Sequence, residues 1–355
     1  MSSTVLKMKS FIKETAPVRA FRRIQKKKKL ISRESMDRAI RAFLPEEPAP
    51  VERARIEADM LDAAEKFGFD ANEYFLLQLS GKSDSQRAAY ISDFEHVFIC
   101  EKLNKARNQA VFDDKAQTYR VFGRYYGRDC AFIAAGADTG RALAEFAQRH
   151  GRFIVKPVHL AGGKGIEILD TAVPDSVEKL AEKICSRYRY GVFVEELIRQ
   201  TEAMEKLHPA SVNTVRVPTV RMDDGVLLFH PFLRVGRGDA FVDNAGSGGI
   251  ICALDPDTGE VVAARDELGR SYPVHPDSGE KLVGFRVPRW EEAVALAKTL
   301  AGTIPTNRYT GWDLALTDEG WIMIEGNARG QFVWQYATLE GCRDEVNDIL
   351  RRLGM

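Results

Sequence analysis

The sequence predicts an α+β protein in which a helical N-terminal region precedes two mixed subdomains, and three observations carry that reading. From residue 51 to about residue 105, apolar side chains recur at helical spacing, with Ile56, Met60, Leu61, Ala64 and Phe67 on one stripe. Beyond Asp113-Asp114-Lys115 short β-branched runs replace this pattern. Beyond Asn213 the runs come in pairs joined by tight-turn sequences such as Asp223-Asp224-Gly225, the signature of antiparallel hairpins. Long strand–helix alternation is missing, which favours α+β over a doubly wound parallel sheet.

Three regions follow: 1–110 as a basic arm with a helical domain, 111–198 as a small mixed subdomain, and 199–355 as a larger one. The proline-rich stretch from Leu44 to Pro50 ends a first helix, because the residue before a proline is pushed out of helical geometry. Gly68 and Gly81 mark later stops. Strands are expected at 153–157 and 165–169, a helix at 176–188, and a strand at 191–196. Residues 215–222 turn into 226–232, and 250–254 turn into 260–264 across Pro256-Asp257-Thr258-Gly259. A helix at 289–302, a hairpin of 312–317 with 321–325, and a C-terminal helix complete the order. No internal repeat is present.

At 355 residues, 45% hydrophobic and 29% charged, the composition is that of a soluble globular protein and excludes collagen-like and wholly disordered classes. No uncharged apolar run nears the ~18 residues of a membrane span. Lys7, Lys9 and Lys13 interrupt the first apolar stretches, so no signal-peptide core is expected. The 5 cysteines are scattered without a Cys-x-x-Cys pair, which suits a reducing, cytoplasmic setting. The net charge of zero is uneven: residues 1–44 carry thirteen Lys/Arg against three Asp/Glu, about +10. This arm is expected either as a solvated face or as a contact for an anionic surface or partner. With aromatic side chains for stacking sparse around the basic run (Phe11 and Phe21), it does not read as a base-binding module.

Four stretches carry chemistry. In the last hairpin, a three-residue loop Asp318-Glu319-Gly320 sets Thr317 against Trp321; counting outward places Asp313 opposite Glu325, with Asn327 on the same face. Two carboxylates and an amide oxygen there suit Mg²⁺ bridging phosphates, and without a cation the like charges would repel. A chance pair at a sheet rim is the alternative. Lys156 on a strand, followed by Gly162-Gly163-Lys164-Gly165, suits a phosphate-cradling loop or a plain glycine-rich turn. Glu195 and Glu196 end an apolar strand whose backbone can read an adenine edge, with Glu202 the candidate to hold ribose hydroxyls, or they form a solvated strand end. Arg216 and Arg234 sit on the two strands of one hairpin, followed by Asp243-Asn244 and a glycine cluster at 246–249. Such guanidinium groups neutralise a transferring phosphoryl group or clamp a carboxylate, or they are ordinary surface arginines. The histidines show no metal spacing, and no nucleophile elbow or Cys/His pair is present.

In this order the stretches resemble the ATP-grasp superfamily over about residues 113–340, from Asp114-Lys115 through Lys156, Gly162–Gly165, Glu195-Glu196 and Asp313 to Glu325-Gly326-Asn327. Ser211-Val212-Asn213-Thr214-Val215-Arg216 and Val242-Asp243-Asn244 with Gly248-Gly249 look like the sugar-transfer associated group, related to α-L-glutamate ligases. Asn213 stands where those ligases carry an acid, and Asp243-Asn244 where they start Arg-x-Asn. The resemblance implies an ATP-grasp fold, with ATP between two α+β subdomains. It places Lys115, Lys156 and the Gly162–Gly165 loop on the phosphates, and one or two Mg²⁺ ions, or Mn²⁺, on Asp313, Glu325 and Asn327. Arg216, Arg234, Asn244 and Arg329 would then serve the reacting groups. The implied reaction is amide formation between a small-molecule or peptide carboxylate and an amine through an acylphosphate. A phosphotransferase acting on a hydroxyl and a non-catalytic nucleotide-binding protein are the alternatives.

Overall fold

A computed structural model describes residues 30–159, 165–188, 190–239, 243 and 248–355. The first described helix, α1 (Arg33–Phe43), starts on a capping box in which Ser32 and Ser35 satisfy each other's backbone N–H, and it ends before Pro45. α2 (Pro50–Phe67) opens on a proline, whose missing N–H costs nothing in a first turn, and closes on Gly68 at φ +81°. The periodic region then breaks into α3 (Ala71–Leu76), α4 (Asp84–Ala88) and α5 (Asp93–Leu103), with Asp70 and Ser83 capping the first two. Among the described residues, one compact unit consists of residues 30–99 together with Leu339–Arg351, and the other lies within Cys100–Thr338 with Arg352–Met355. Along the chain the division falls at 99/100, 338/339 and 351/352. Within the first unit Arg343 bridges Glu95 at 2.6 Å and donates to the Tyr90 carbonyl at 2.9 Å, which ties the C-terminal helix back to the N-terminal ones.

The second unit begins with α6 (Ala106–Asp113) and α7 (Lys115–Phe122), the latter capped by Asp114 accepting from the Ala116 and Gln117 amides. Then come β1 (Cys130–Ile133), α8 (Thr139–Arg149), β2 (Arg152–Pro157), β3 (Glu167–Asp170), α9 (Ser176–Arg187) and β4 (Val192–Glu196). These four strands form one antiparallel sheet in the order β1-β4-β2-β3. Leu143 and Phe146 of α8 and Leu180 and Ile184 of α9 pack against its Phe153, Val155, Val192 and Val194.

After the short α10 (Glu202–Glu205), a larger antiparallel sheet contains β5 (Thr214–Arg221), β6 (Val226–Leu228), β7 (Phe232–Val235), β8 (Ile250–Leu254) and β9 (Val261–Asp266). Past α11 (Trp290–Thr303) it gains β10 (Tyr309–Thr317) and β11 (Gly320–Asn327), and the chain closes with α12 (Trp334–Thr338) and α13 (Arg343–Arg352). The strand order is β11-β10-β5-β7-β8-β9, with β6 beside β5. Val215, Val217, Leu233, Val235 and Cys252 bury one face against Trp290, Ala293, Ala297 and Leu300 of α11. Alternation then leaves Arg216, Arg234 and Asp313 on the opposite face, which is where the chemistry collects.

The single strand expected over 226–232 is two strands. Residues 229–231 face only Val217 and Pro218, His230 takes φ +52°, and Pro218 has no N–H to offer a ladder, so pairing lapses and resumes at Phe232. β1 and α8, which sequence reading did not delimit, complete the small sheet and cover it. Among the described residues no helix is long and apolar enough to cross a membrane.

Candidate active site

The last hairpin reaches the expected pairing by an unexpected route. Thr317 pairs with Gly320, so the loop is the two residues Asp318-Glu319; a bulge between Asp313 and Leu314 then offsets the register by one and sets Asp313 opposite Glu325. Gly326 between Glu325 and Asn327 is sterically required. A Cβ there would lie 2.8 Å from Phe112 Cε1 and 2.9 Å from Trp312 Cζ3.

A cavity of about 410 Å³ opens beside this hairpin. Lys115, from the first turn of α7, Lys156 of β2, Glu195 of β4, and Glu325 and Asn327 of β11 all line it, joined by Phe112, Asp113, Thr118, Tyr126, His159 and Ile324. Five residues singled out in the sequence thus share one wall system. Burial lowers the pKa of Lys115, against the opposing pull of Glu325.

Glu195 is 2% exposed and fully paired. Lys156 Nζ lies 2.8 Å from its Oε1, and Arg128 Nη2 lies 2.5 Å from its Oε2. Burial alone would raise its pKa, but Arg128 and then Lys156 outweigh that and hold the carboxylate at about 2. Arg128 was not legible as a site residue, because its partners Glu195 and Met323 lie 67 and 195 positions away in the chain. Tyr126, over whose ring Arg128 stacks at 4.6 Å, has its hydroxyl pKa pushed far up by burial and by Glu195.

Bordering the cavity through Asn327, whose Nδ2 stands 3.5 Å from Asp313 Oδ2, is a second charged cluster. Arg216 grips Asp313 with Nε at 2.5 Å and Nη2 at 2.6 Å, and Arg234 Nη2 adds a contact at 3.0 Å. Asp313 is 1% exposed; burial opposes its charge, yet the two arginines hold its pKa at about 2. Asp313, expected with Glu325 and Asn327 as a metal ligand, has both carboxylate oxygens in contact with guanidinium groups. Glu325 and Asn327 on the cavity wall remain as oxygen donors, a number that suits Mg²⁺, which completes its shell with phosphate and water.

Other expected residues stand apart. Glu196 faces away from Glu195 and accepts the Asp129 amide at 3.2 Å. Glu202 is exposed and pairs with Lys206 at 2.8 Å, lining a separate cleft with His208, Gly238 and Asp277. Arg329 is exposed and does not line the cavity. Gly165, at φ +72°, leads into β3. Gly162, Gly163, Lys164 and Asn244 lie outside the described residues.

No curated protein matches the sequence. Among solved structures, the ATP-grasp ligase PsnB complexed with its minimal precursor aligns over 70% of this chain and 64% of its own, at 16% identity and a TM-score of 0.43. The ADP complex of purK, N5-carboxyaminoimidazole ribonucleotide synthetase, aligns over 63% and 46%, at 11% and 0.41. D-alanyl-alanine synthetase A from Vibrio cholerae aligns over 68% and 66%, at 11% and 0.41. The chain thus spans less than two thirds of the length of the first two. The family model for sugar-transfer associated ATP-grasp proteins matches residues 94–351, most of the sequence and every described site residue, and the chain belongs to that family.

Proposed function

We propose that this chain is an ATP-dependent carboxylate–amine ligase that forms an amide- or peptide-like bond and releases ADP and phosphate. The observation that carries this reading is the Arg216–Arg234 pair adjoining a cavity walled by Lys115 and Lys156. In the first step a substrate carboxylate oxygen bonds to the γ-phosphorus while the bond to the departing ADP breaks, giving an acylphosphate. The amine nitrogen then bonds to the acyl carbon, loses a proton, and phosphate leaves. Lys115 and Lys156 neutralise phosphate charge, while Arg216 and Arg234 face the charge that develops on the transferring group. Glu325 and Asn327 would hold a divalent cation, which supplies charge neutralisation between phosphates when bound. Asp313 anchors the two arginines. Asn244, Arg329 and the glycine loop at 162–165 complete the assignment from family resemblance.

A carboxylate is already ionised near pH 7, so it needs positioning and no base, whereas a hydroxyl acceptor needs one. Asp243 is buried, with its pKa raised by that burial, but its Oδ2 accepts the Thr214 amide at 3.0 Å and lies 3.5 Å from Arg234 Nε. Asp113, exposed on the cavity wall, is the feature that favours the phosphotransferase alternative. Hydroxylamine decides between them. With ATP, Mg²⁺ and a panel of amino acids, sugar acids and peptides, the ligase yields a hydroxamate plus ADP and free phosphate. A stable phosphate ester without free phosphate would make the chain a kinase.

A further inference from the structure

Arg128 does not itself line the cavity, yet its one guanidinium holds residues of both walls. Its Nε and Nη2 hold Glu195 Oε2 at 3.0 and 2.5 Å in the small sheet. Nη1 donates to the carbonyls of Met323, two residues before Glu325 in β11, at 2.8 Å and of Tyr126 at 2.9 Å. Its side chain is 3% exposed. An arginine is charged at every accessible pH, so this is a permanent buried cation placed on the far oxygen of the carboxylate that Lys156 uses.

Charge counting shows what that does. A buried Lys156–Glu195 pair on its own is neutral, and its ammonium would present little net field to an anion. Adding Arg128 leaves the three-group cluster with one excess positive charge, and Lys156 and Glu195 are the members that line the cavity. We propose that Arg128 is a positioning residue for the nucleotide: it neutralises Glu195 from behind, so that Lys156 meets the phosphates with its charge uncompensated, and it fixes the spacing of the two walls. The inference rests on the ATP reading above.

The test is calorimetric binding of Mg²⁺ with a non-hydrolysable ATP analogue to the full chain. Arg128→Met should weaken binding about tenfold, the scale of one charge-assisted contact. Adding Glu195→Gln to Arg128→Met should bring affinity back to within about threefold of the parent, because the neutral amide no longer compensates Lys156. A purely structural arginine predicts the opposite, with the double variant at least as impaired as the single one. Arg128→Lys, which keeps the charge and loses the fork, covers the case in which Arg128→Met does not fold, and it should stay within about threefold. In turnover assays Arg128→Met should raise KM for ATP and leave KM for the acid substrate unchanged. Parent-like binding by Arg128→Met, a double variant no better than the single, or equal loss in Arg128→Lys overturns the role of Arg128. A parent chain that binds no nucleotide removes the ATP reading and this inference with it.

Discussion

Glu195 and Asp313 are both buried carboxylates, both held by two cations, and both kept ionised down to a pKa of about 2. They differ in the cations. Glu195 has one arginine facing away and one lysine facing the cavity, whereas Asp313 has two arginines, one of them bidentate. An ammonium on a flexible stem makes a mobile point charge; two planar forks on a shared carboxylate make a rigid one. On the proposed reading, the first cluster would receive the phosphates of a ligand from solution, and the second would hold charge at a fixed place while bonds change. Asp243, 3.5 Å from Arg234, adds a further carboxylate to the second cluster, so the two differ in charge balance as well as in geometry.

That contrast breaks most sharply at the carboxylates of the hairpin. Asp313→Asn and Glu325→Gln should each lower turnover by about 10²-fold or more, the scale seen when a preorganised electrostatic contact is removed. Only Asp313→Asn should also lower thermal stability, because it strands two buried arginines, whereas Glu325 is exposed. Full turnover in either variant would remove that residue from the site.

A smaller effect separates the cations. Arg216→Lys retains charge and loses the fork on Asp313, so kcat should fall by about tenfold while KM for ATP holds. Lys156→Ala should do the reverse, raising KM for ATP by about tenfold with kcat less affected. Identical kinetic signatures for the two variants would erase the distinction between the clusters.

Acid titration probes what the clusters share. Folded-state pKa values near 2 lie below the reference values of 4.5 for Glu195 and 3.8 for Asp313. Each carboxylate thus adds stability that is complete above its reference value and is lost as pH falls toward 2. Urea unfolding should show stability dropping across that window, and Glu195→Gln should flatten part of the slope. A slope unchanged by the substitution would mean that Glu195 is not held as the geometry indicates.

The comparison also shows what a sequence exposes. Lys156, Glu195, Glu325 and Asn327 each lie in a short motif read for its spacing, and Lys115 entered through the family resemblance; the cavity is lined by all five. The facing of Asp313 and Glu325 was legible as well, although the loop was counted one residue too long and the bulge one too few. Those errors cancel because register depends only on their sum. Arg128 was not legible, since nothing near Gly127-Arg128-Asp129 signals partners in two distant strands. Nor was the capture of Asp313 by arginines, which depends on β5 and β7 lying beside β10. Motif spacing reveals side chains that point at a ligand; the cations that hold those side chains come from sheet order, which spacing does not encode.

The smallest effect is expected furthest from both clusters, in the basic arm. Every residue lining the cavity lies at Phe112 or beyond, while the charge excess of about +10 is confined to residues 1–44. At physiological ionic strength exposed charges are screened over about 8 Å, so the arm's field reaches the cavity only if the arm is folded onto it. Deleting residues 1–29 should therefore leave affinity for the ATP analogue within about threefold, and the residual difference should vanish as salt is raised. The same deletion should weaken retention on an anionic resin or vesicle much more, because that contact scales with the number of basic side chains removed. A truncated chain that keeps its helical signal yet loses nucleotide affinity by more than tenfold, independently of salt, would place part of the arm in the site and end the division of charge between a binding cluster, a catalytic cluster and a separate basic segment.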